Sequence, residues 1–278
     1  MSIFLIIIVA TIVFEYILSL VSRQLNLKSL TTTLPKEFVG FYDEKKYEKS
    51  QNYTRENSRF AHISSTFNFL LVLAVIFLGL FDTLDKYAQS FGYSPIITGL
   101  IFFGIIIIIQ DVLSTPFNLY STFVIEEKYG FNKSTPQIFI VDKLKSYLLL
   151  LTLGIPFILT ILYFFEALEN AWLYAWGLIT LLSVIMPKIY TQFIAPMFNK
   201  FTPLENSELR DIIENYSRKV NFPLTEIYVV DGSKRSSHSN AYFTGFGKNK
   251  RIVLFDTLLE SHTNKEILAI LAHEVGHY

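Results

Sequence analysis

The sequence predicts a mainly α-helical, polytopic membrane protein with a small water-soluble region of mixed α and β structure near its carboxyl end. Three observations lead to this fold class. The 278 residues are 51% hydrophobic and only 17% charged, whereas ordinary soluble domains carry about 25% charged residues. Five long apolar segments lie before residue 187. After about residue 200 the composition becomes that of a soluble domain.

The five apolar segments are predicted to be transmembrane helices. A helix rises about 1.5 Å per residue, so about 20 residues cross a hydrocarbon core of about 30 Å. The stretch Gly99–Ile109 has no polar face for water. One such helix could belong to the core of a large soluble protein, but five indicate a membrane location. The predicted spans are about residues 3–21, 63–81, 96–113, 147–165 and 171–186.

The positions of the basic residues predict an orientation in the membrane. The four loops between the spans hold eight, one, four and no Lys or Arg residues in chain order. Cytoplasmic loops carry the excess of positive charge. We therefore expect the amino terminus outside and everything after Met186 in the cytoplasm. Residues 1–196 form the predicted transmembrane domain, and residues 197–278 form the start of a cytoplasm-facing domain. The first segment lacks a basic start and a cleavage site and is expected to be a retained span.

Composition also limits the function classes. The formal net charge is zero, so the chain lacks the basic footprint of a nucleic-acid-binding protein, and no nucleic-acid partner is expected. There is no cysteine, which excludes disulfides and thiolate metal sites. A metal ion would have to bind His and carboxylate side chains.

The water-soluble region is predicted to contain helices and short strands. Ser207–Val220 has apolar residues at helical spacing with charges between them, which indicates an amphipathic helix. Thr263 and Glu266 form a capping box ahead of a last apolar helix. The predicted strands are Glu226–Val230, Asn240–Gly245 and Arg251–Phe255.

The last helix carries a pattern typical of zinc peptidases. His273, Glu274 and His277 form the motif HExxH. Residues four apart lie on one helix face, so two imidazoles can converge on one zinc ion. Glu274 can then act as the general base that takes a proton from the attacking water. Gly276 inside the motif weakens an isolated helix, which indicates close packing or a functional demand.

A third ligand is needed, because catalytic zinc is held by three protein side chains and a water. His238 is a conceivable third ligand, but it lies in a polar loop, where an exposed residue or one near a substrate cleft is the simpler interpretation. His62 is expected at a membrane border and His262 in the approach to a helix. We expect the third ligand to be a Glu beyond Tyr278.

Beyond these patterns, the sequence resembles the integral-membrane CAAX prenyl protease family of zinc metallopeptidases. The resemblance covers nearly the whole chain and is carried by Asp231–Phe255, Ile194–Arg210 and Phe123–Asn132. It implies a complete fold of seven transmembrane helices in a ring around a chamber, closed on the cytoplasmic side by a zincin-like α+β domain. Two further spans are therefore expected outside these residues.

The resemblance also implies roles for individual residues. His273 and His277 would bind one zinc ion per chain, with Glu274 as the general base and a downstream Glu as the third ligand. Asn240 and Ala241 would lie on an edge strand that pairs with the substrate backbone. The expected partners are the lipid bilayer and a peptide or protein substrate, which is either a prenylated C-a-a-X tail or another membrane-delivered peptide.

Other functions stay open at this point. A membrane quality-control zinc protease shares HExxH but tends to place it after fewer spans. A chain that truly ended at Tyr278 would bind zinc weakly and would act as an inactive scaffold. A transporter would explain the spans but not HExxH.

Overall fold

A computed structural model describes residues 2–245 and 249–276. Its helices include five that are long and apolar enough to cross a membrane, which confirms the predicted fold class. In the most apolar stretch of each, mean hydropathy lies between 1.5 and 2.7 and at most 6% is buried within the protein. Phe14, Val112 and Trp172 are each more than 60% exposed. Lipid is the solvent that tolerates such continuous apolar surface. The five helices are Ile3–Ser29, Glu44–Phe77, Pro95–Glu126, Pro136–Ala167 and Ala171–Phe198.

The second span ends earlier than its hydropathy predicts. Helix α2 (Glu44–Phe77) follows α1 (Ile3–Ser29), and Asp43 caps it by accepting the Lys46 backbone N–H at 2.8 Å. Gly79 then has a positive φ of 65°, which glycine tolerates best, and a new helix α3 (Leu80–Gln89) begins. The predicted span 63–81 therefore runs across a helix break. Hydropathy misses the break because apolar residues flank Gly79 on both sides.

The three later spans each contain a wider π-helical turn. Helix α4 (Pro95–Tyr120) continues into Ser121–Glu126. Helices α5 (Pro136–Leu149) and α6 (Ile155–Ala167) are joined through Leu150–Gly154, and α7 (Ala171–Ile189) and α8 (Ala195–Phe198) through Tyr190–Ile194. In the last two cases a proline, Pro156 or Pro196, is the second residue after the π-turn. Proline has no N–H to donate, and the irregular turn accommodates the missing bond.

The chain divides into two compact units, Met1–Gly130 and Phe131–Tyr278. In the first, α1 packs on α2, where Tyr16 stacks on Phe69 at 4.1 Å between ring centroids. The Tyr16 hydroxyl also lies 2.9 Å from the Thr66 hydroxyl. This division follows compactness alone, so the boundary between membrane and water-soluble domains at residue 196 stays a prediction.

A four-stranded sheet lies in the second unit. Its strands are β1 (Phe201–Pro203), β2 (Leu224–Val230), β3 (Ala241–Thr244) and β4 (Lys250–Phe255), in the order β1-β2-β4-β3. β2 and β4 are parallel, and the two outer pairs are antiparallel. The three strands expected from the sequence are present with ends shifted by one or two residues. β1 was not predicted, because three residues that include Pro203 carry no alternation.

Three helices pack against this sheet. Helix α9 (Glu208–Lys219) begins at Ser207, whose hydroxyl accepts the Arg210 N–H, and Asn221 follows it with φ 54°. The predicted amphipathic helix is therefore present. The short helix α10 (Asp256–Ser261) follows β4 directly, and α11 (Asn264–Gly276) comes last. Burying each large aliphatic side chain here stabilises the fold by about 1.5–3 kcal/mol. The shared core includes Leu209, Ile213, Ile227, Ala241, Ile252, Leu254, Leu258, Ile267 and Leu271.

Candidate metal centre and sheet edge

The helix that carries the metal-binding motif starts with the predicted capping box. The Thr263 N–H donates to Glu266 Oε2 at 2.8 Å, and the Glu266 N–H donates back to the Thr263 hydroxyl at 3.4 Å. The Thr263 backbone N–H, and then its hydroxyl, hold the pKa of Glu266 below its ordinary value. The reciprocal bonds satisfy donors that a helix start leaves open, and they fix where α11 begins.

Packing of α11 sets which way the motif faces. Ile267 and Leu271 are both 1% exposed in the core against β3 and α9. Residues three and four positions apart share a helix face, so Glu274 continues this face at its rim and is half-buried. His273, one position earlier, is exposed. Glu274 and His273 thus lie near the end of a helix that packs against the edge strand β3.

The structure describes only some of the residues of the predicted metal site. His273 and Glu274 lie in α11, whereas His277 and Tyr278 lie outside the described residues. Within residues 2–245 and 249–276, no three His, Asp or Glu side chains come together as a metal site. A Cβ placed on Gly276 would meet no described atom within 4 Å. In the described part of the chain, Gly276 is therefore not required by close packing.

The donor chemistry at this helix end fits zinc. The chain offers imidazole and carboxylate groups and no thiolate, a donor set that borderline metals such as zinc accept. His273 is exposed and Glu274 beside it is half-buried.

Ala241 begins the edge strand β3, and Asn240 immediately precedes it. Phe255 N–H donates to the Asn240 carbonyl at 3.0 Å, and Ala241 is paired with Leu254. Because hydrogen-bonded and non-hydrogen-bonded pairs alternate in an antiparallel ladder, the N–H and C=O of Ala241 point away from β4. The Asn240 side-chain oxygen accepts that outward N–H at 2.9 Å. The Ala241 side chain itself is buried in the core, so only its backbone faces outward.

A network that the sequence did not reveal holds the loop before β3. The Arg235 guanidinium binds both carboxylate oxygens of Asp142, at 2.7 and 2.9 Å. It also donates to the side chain of Asn199 at 2.6 Å and to the carbonyl of Phe198 at 2.7 Å. At the other end of the loop, Asp256 accepts the Ser233 N–H at 2.8 Å. Only a basic, polar loop was expected here, because 93 residues separate Arg235 from Asp142.

The remaining histidines have other surroundings. The His238 ring is exposed and stacks on Phe131 at 4.2 Å between centroids, and its carbonyl accepts the Thr257 hydroxyl at 3.0 Å. His262 follows α10, with its Nδ1 2.8 Å from the Ser261 hydroxyl. His62 lies within α2. His238 is thus part of the loop that leads into β3, and its role as a third ligand stays an unsupported alternative.

The opposite face of the sheet lines a cavity of about 320 Å³ near the end of the fifth span. Tyr242 and Arg251 face it from the sheet, and Thr191 and Gln192 face it from the π-turn after α7. Burial, and then the nearby Tyr190, raise the pKa of Tyr242 to about 12. The Tyr242 phenol is therefore uncharged at neutral pH and contributes a hydroxyl to an otherwise partly apolar wall.

The chain is similar to known proteins over both its helical part and its sheet-containing part. The family described as "CAAX prenyl protease N-terminal, five membrane helices" matches residues 23–200, and peptidase family M48 matches residues 203–278. The "Probable CAAX prenyl protease 1" of Schizosaccharomyces pombe is 45% identical over 85% of this chain and 53% of its own length. The "CAAX prenyl protease 1 homolog" of Arabidopsis thaliana is 40% identical over 95% and 66%.

A solved structure agrees with these relatives. The crystal structure of S. mikatae Ste24p superposes with a TM-score of 0.90 at 37% identity and covers 100% of this chain and 67% of that one. The chain spans between about half and two thirds of the length of these proteins. The two family matches together cover residues 23–200 and 203–278, and the structural similarity covers the whole chain. The chain therefore belongs to the integral-membrane CAAX prenyl protease family, within peptidase family M48.

Proposed function

We propose that the chain is part of a membrane zinc metalloendopeptidase that hydrolyses peptide bonds of substrates delivered from the membrane. One observation carries the proposal. Helix α11, with His273 and Glu274 at its end, packs directly on the edge strand β3. A peptide added to a sheet edge is extended and fixed by backbone hydrogen bonds, and here it would lie beside the base.

The histidines are proposed to hold the metal. His273 and His277 would bind one zinc ion, and a Glu outside residues 1–278 would complete the three protein ligands. Zinc bound at such a site polarises the scissile carbonyl and lowers the pKa of a water molecule. The half-buried Glu274 takes a proton from the attacking water and delivers it to the leaving amine. No covalent bond to the protein is needed.

The edge strand is proposed to orient the substrate. The N–H and C=O of Ala241 point outward, toward a peptide that would add to this edge, and the next outward pair belongs to Phe243, two residues on. In the free protein the Asn240 side-chain oxygen accepts a hydrogen bond from the Ala241 N–H. A substrate that pairs at Ala241 therefore has to displace this side chain, which then becomes free to bind the substrate itself.

The substrate class is proposed from the relatives' names. Those proteins are called CAAX prenyl proteases, which makes a prenylated C-a-a-X tail the leading candidate. A prenyl group partitions into lipid, so a protein with five membrane spans meets it within the bilayer. We also propose the orientation expected from the loop charges, with the sheet-containing region on the cytoplasmic side.

Three peptides presented to the full-length natural protein in lipid nanodiscs would test this proposal. The first is a prenylated C-a-a-X peptide, the second is the same peptide without the prenyl group, and the third is a membrane-inserted peptide without C-a-a-X. Zinc-dependent cleavage of the first alone would support C-a-a-X processing. Equal cleavage of the third would support the quality-control protease, and cleavage of none would contradict the peptidase.

A further inference from the structure

A cavity of about 810 Å³ lies in the first unit, and no residue of the metal-binding motif lines it. It is an open concavity between one face of α2 and the residues that follow the π-turn after α4. We name it the basic cavity, because five of its nine lining side chains are cationic. Its lining residues are Lys45, Glu48, Lys49, Asn52, Arg55, Glu56, Arg59, Lys128 and Tyr129.

One cation in the basic cavity is already neutralised. Lys128 donates to Glu56 Oε2 at 2.6 Å, and the Tyr129 hydroxyl donates to the same oxygen at 2.8 Å. Tyr129 is buried, so the triad of Lys128, Glu56 and Tyr129 forms a packed part of the cavity wall. The carboxylate of Glu56 therefore accepts two hydrogen bonds, and Arg59 acts on its charge without forming an ion pair with it.

Four cations in the basic cavity form no ion pair in the described part of the chain. Arg55 donates only to the Asn52 side chain and the Leu30 carbonyl, both weakly, at 3.4 and 3.3 Å. Lys45 and Lys49 lie one helical turn apart, where like charges repel. Glu48 is the only lining carboxylate besides Glu56. The helix thus carries a repulsive arrangement that an anion from outside would relieve.

The basic cavity also lies at the polar-to-apolar border of α2. From Glu44 to Arg59 the helix is rich in charge, and from Ile63 to Phe77 it is apolar. Lys45 and Arg59 are separated by about 21 Å along the helix axis at 1.5 Å per residue. Cations spread over this length can contact more than one phosphate group at once. Those nearest Ile63 lie next to the apolar stretch of the helix, where lipid headgroups would be found.

We propose that the basic cavity binds an anion with more than one phosphate group, as found in a polyphosphorylated lipid headgroup or in the corresponding soluble headgroup. General attraction between basic loops and anionic lipid would use all exposed cations alike. Here only some of the cations of α2 line the cavity. Lys46 is exposed on the same helix and does not line the cavity, whereas its neighbours Lys45 and Lys49 do. The proposal is independent of the peptidase, because it needs no metal and no residue of α11.

The test uses the full-length natural protein in nanodiscs of phosphatidylcholine. One set contains added phosphatidylinositol bisphosphate, and another contains phosphatidylserine at matched total charge. Native mass spectrometry counts the lipids retained per chain. We expect one bisphosphate lipid to be retained in preference to phosphatidylserine. Lys49→Gln and Arg59→Gln should each weaken retention about tenfold, as expected for the loss of one charge-assisted hydrogen bond.

Two control variants make the result specific. Lys46→Gln removes the same charge from the adjacent position and should leave retention unchanged. Lys49→Arg keeps the charge and should keep binding, which separates loss of the site from misfolding. Equal weakening by Lys46→Gln and Lys49→Gln would overturn the proposal, and so would equal retention of both lipids.

A soluble competitor identifies the source of the phosphates. If inositol trisphosphate displaces the lipid with similar affinity, the basic cavity recognises the headgroup alone and a soluble ligand is supported. If it does not compete while the bisphosphate lipid stays bound, the lipid itself is supported. Failure of the phosphate-bearing lipid and of inositol trisphosphate to bind would overturn the proposal.

Discussion

Arg235 and Asp142 form a bidentate ion pair, with nitrogen–oxygen distances of 2.7 and 2.9 Å, across 93 residues of sequence. Both side chains are only 23% exposed. The same guanidinium binds Asn199 and the Phe198 carbonyl. Arg235 therefore fastens the loop that leads into β3 to α5 and to the end of α8. Both this ion pair and the pairing of β3 with β4 hold the sheet edge in position.

Replacing Arg235 by Lys should destabilise the protein. Lysine cannot reproduce the planar fork that binds two carboxylate oxygens and two further acceptors. Losing these charge-assisted bonds should cost about 1–3 kcal/mol, seen as a lower thermal unfolding temperature in detergent. Lys234→Gln, an exposed charge in the same loop, is the matched control. Equal unfolding temperatures for Arg235→Lys and Lys234→Gln would show that the bidentate contact is not important for stability.

Pairing of substrate with β3 should show a period of two along the peptide. In an antiparallel pair, only every second residue points its N–H and C=O at the partner strand. N-methylation of successive substrate amides should therefore raise KM at alternate positions and leave kcat and the intervening positions little changed. Steady-state kinetics on a series of singly methylated peptides measures this. A uniform effect, or none, would contradict binding at the sheet edge.

The capping box should make the start of α11 sensitive to acid. The Thr263 N–H lowers the pKa of Glu266 in the folded state, so the carboxylate contributes stability that is complete above the unfolded pKa of about 4.3. This contribution disappears as the pH falls through the lower, folded pKa. Hydrogen exchange of the first amides of α11 should therefore be faster in Glu266→Gln than in the wild type at neutral pH.

The control for this prediction is a second carboxylate nearby. Glu260 lies at the exposed end of α10, and in the described part of the chain its side chain forms no hydrogen bond. Glu260→Gln should leave the exchange of α11 amides unchanged. If Glu266→Gln and Glu260→Gln behaved alike at neutral pH, the cap would contribute nothing measurable.

Much of the fold could be predicted because its signals are local. A membrane span is a continuous apolar run, and Gly99–Ile109 shows this without any knowledge of neighbours. The capping box at Thr263 and the amphipathic pattern of α9 are equally local. The break at Gly79 escaped because it depends on a backbone angle and not on hydropathy. β1 escaped because a three-residue strand is specified by its partner β2.

The candidate site also has features that the sequence predicts and features that it does not. HExxH is visible in the sequence because its spacing is one helical turn, whereas the elements that pack beside the motif are not visible in the sequence. Helix α11 packs on β3 in a sheet with the strand order β1-β2-β4-β3. No local residue pattern predicts that strand order. The pair Arg235–Asp142 and the triad around Glu56 join residues 93, 72 and 73 positions apart. Such contacts are a product of the fold.

The most direct test of the proposed peptidase is the substitution Glu274→Gln in the full-length natural protein. Glutamine keeps the size of the side chain but cannot accept the proton of the attacking water. General-base removal should lower kcat by about 10²–10⁴-fold, while bound zinc, measured by elemental analysis, and the unfolding temperature stay unchanged. Peptide cleavage at the wild-type rate by a zinc-loaded Glu274→Gln protein would contradict the account.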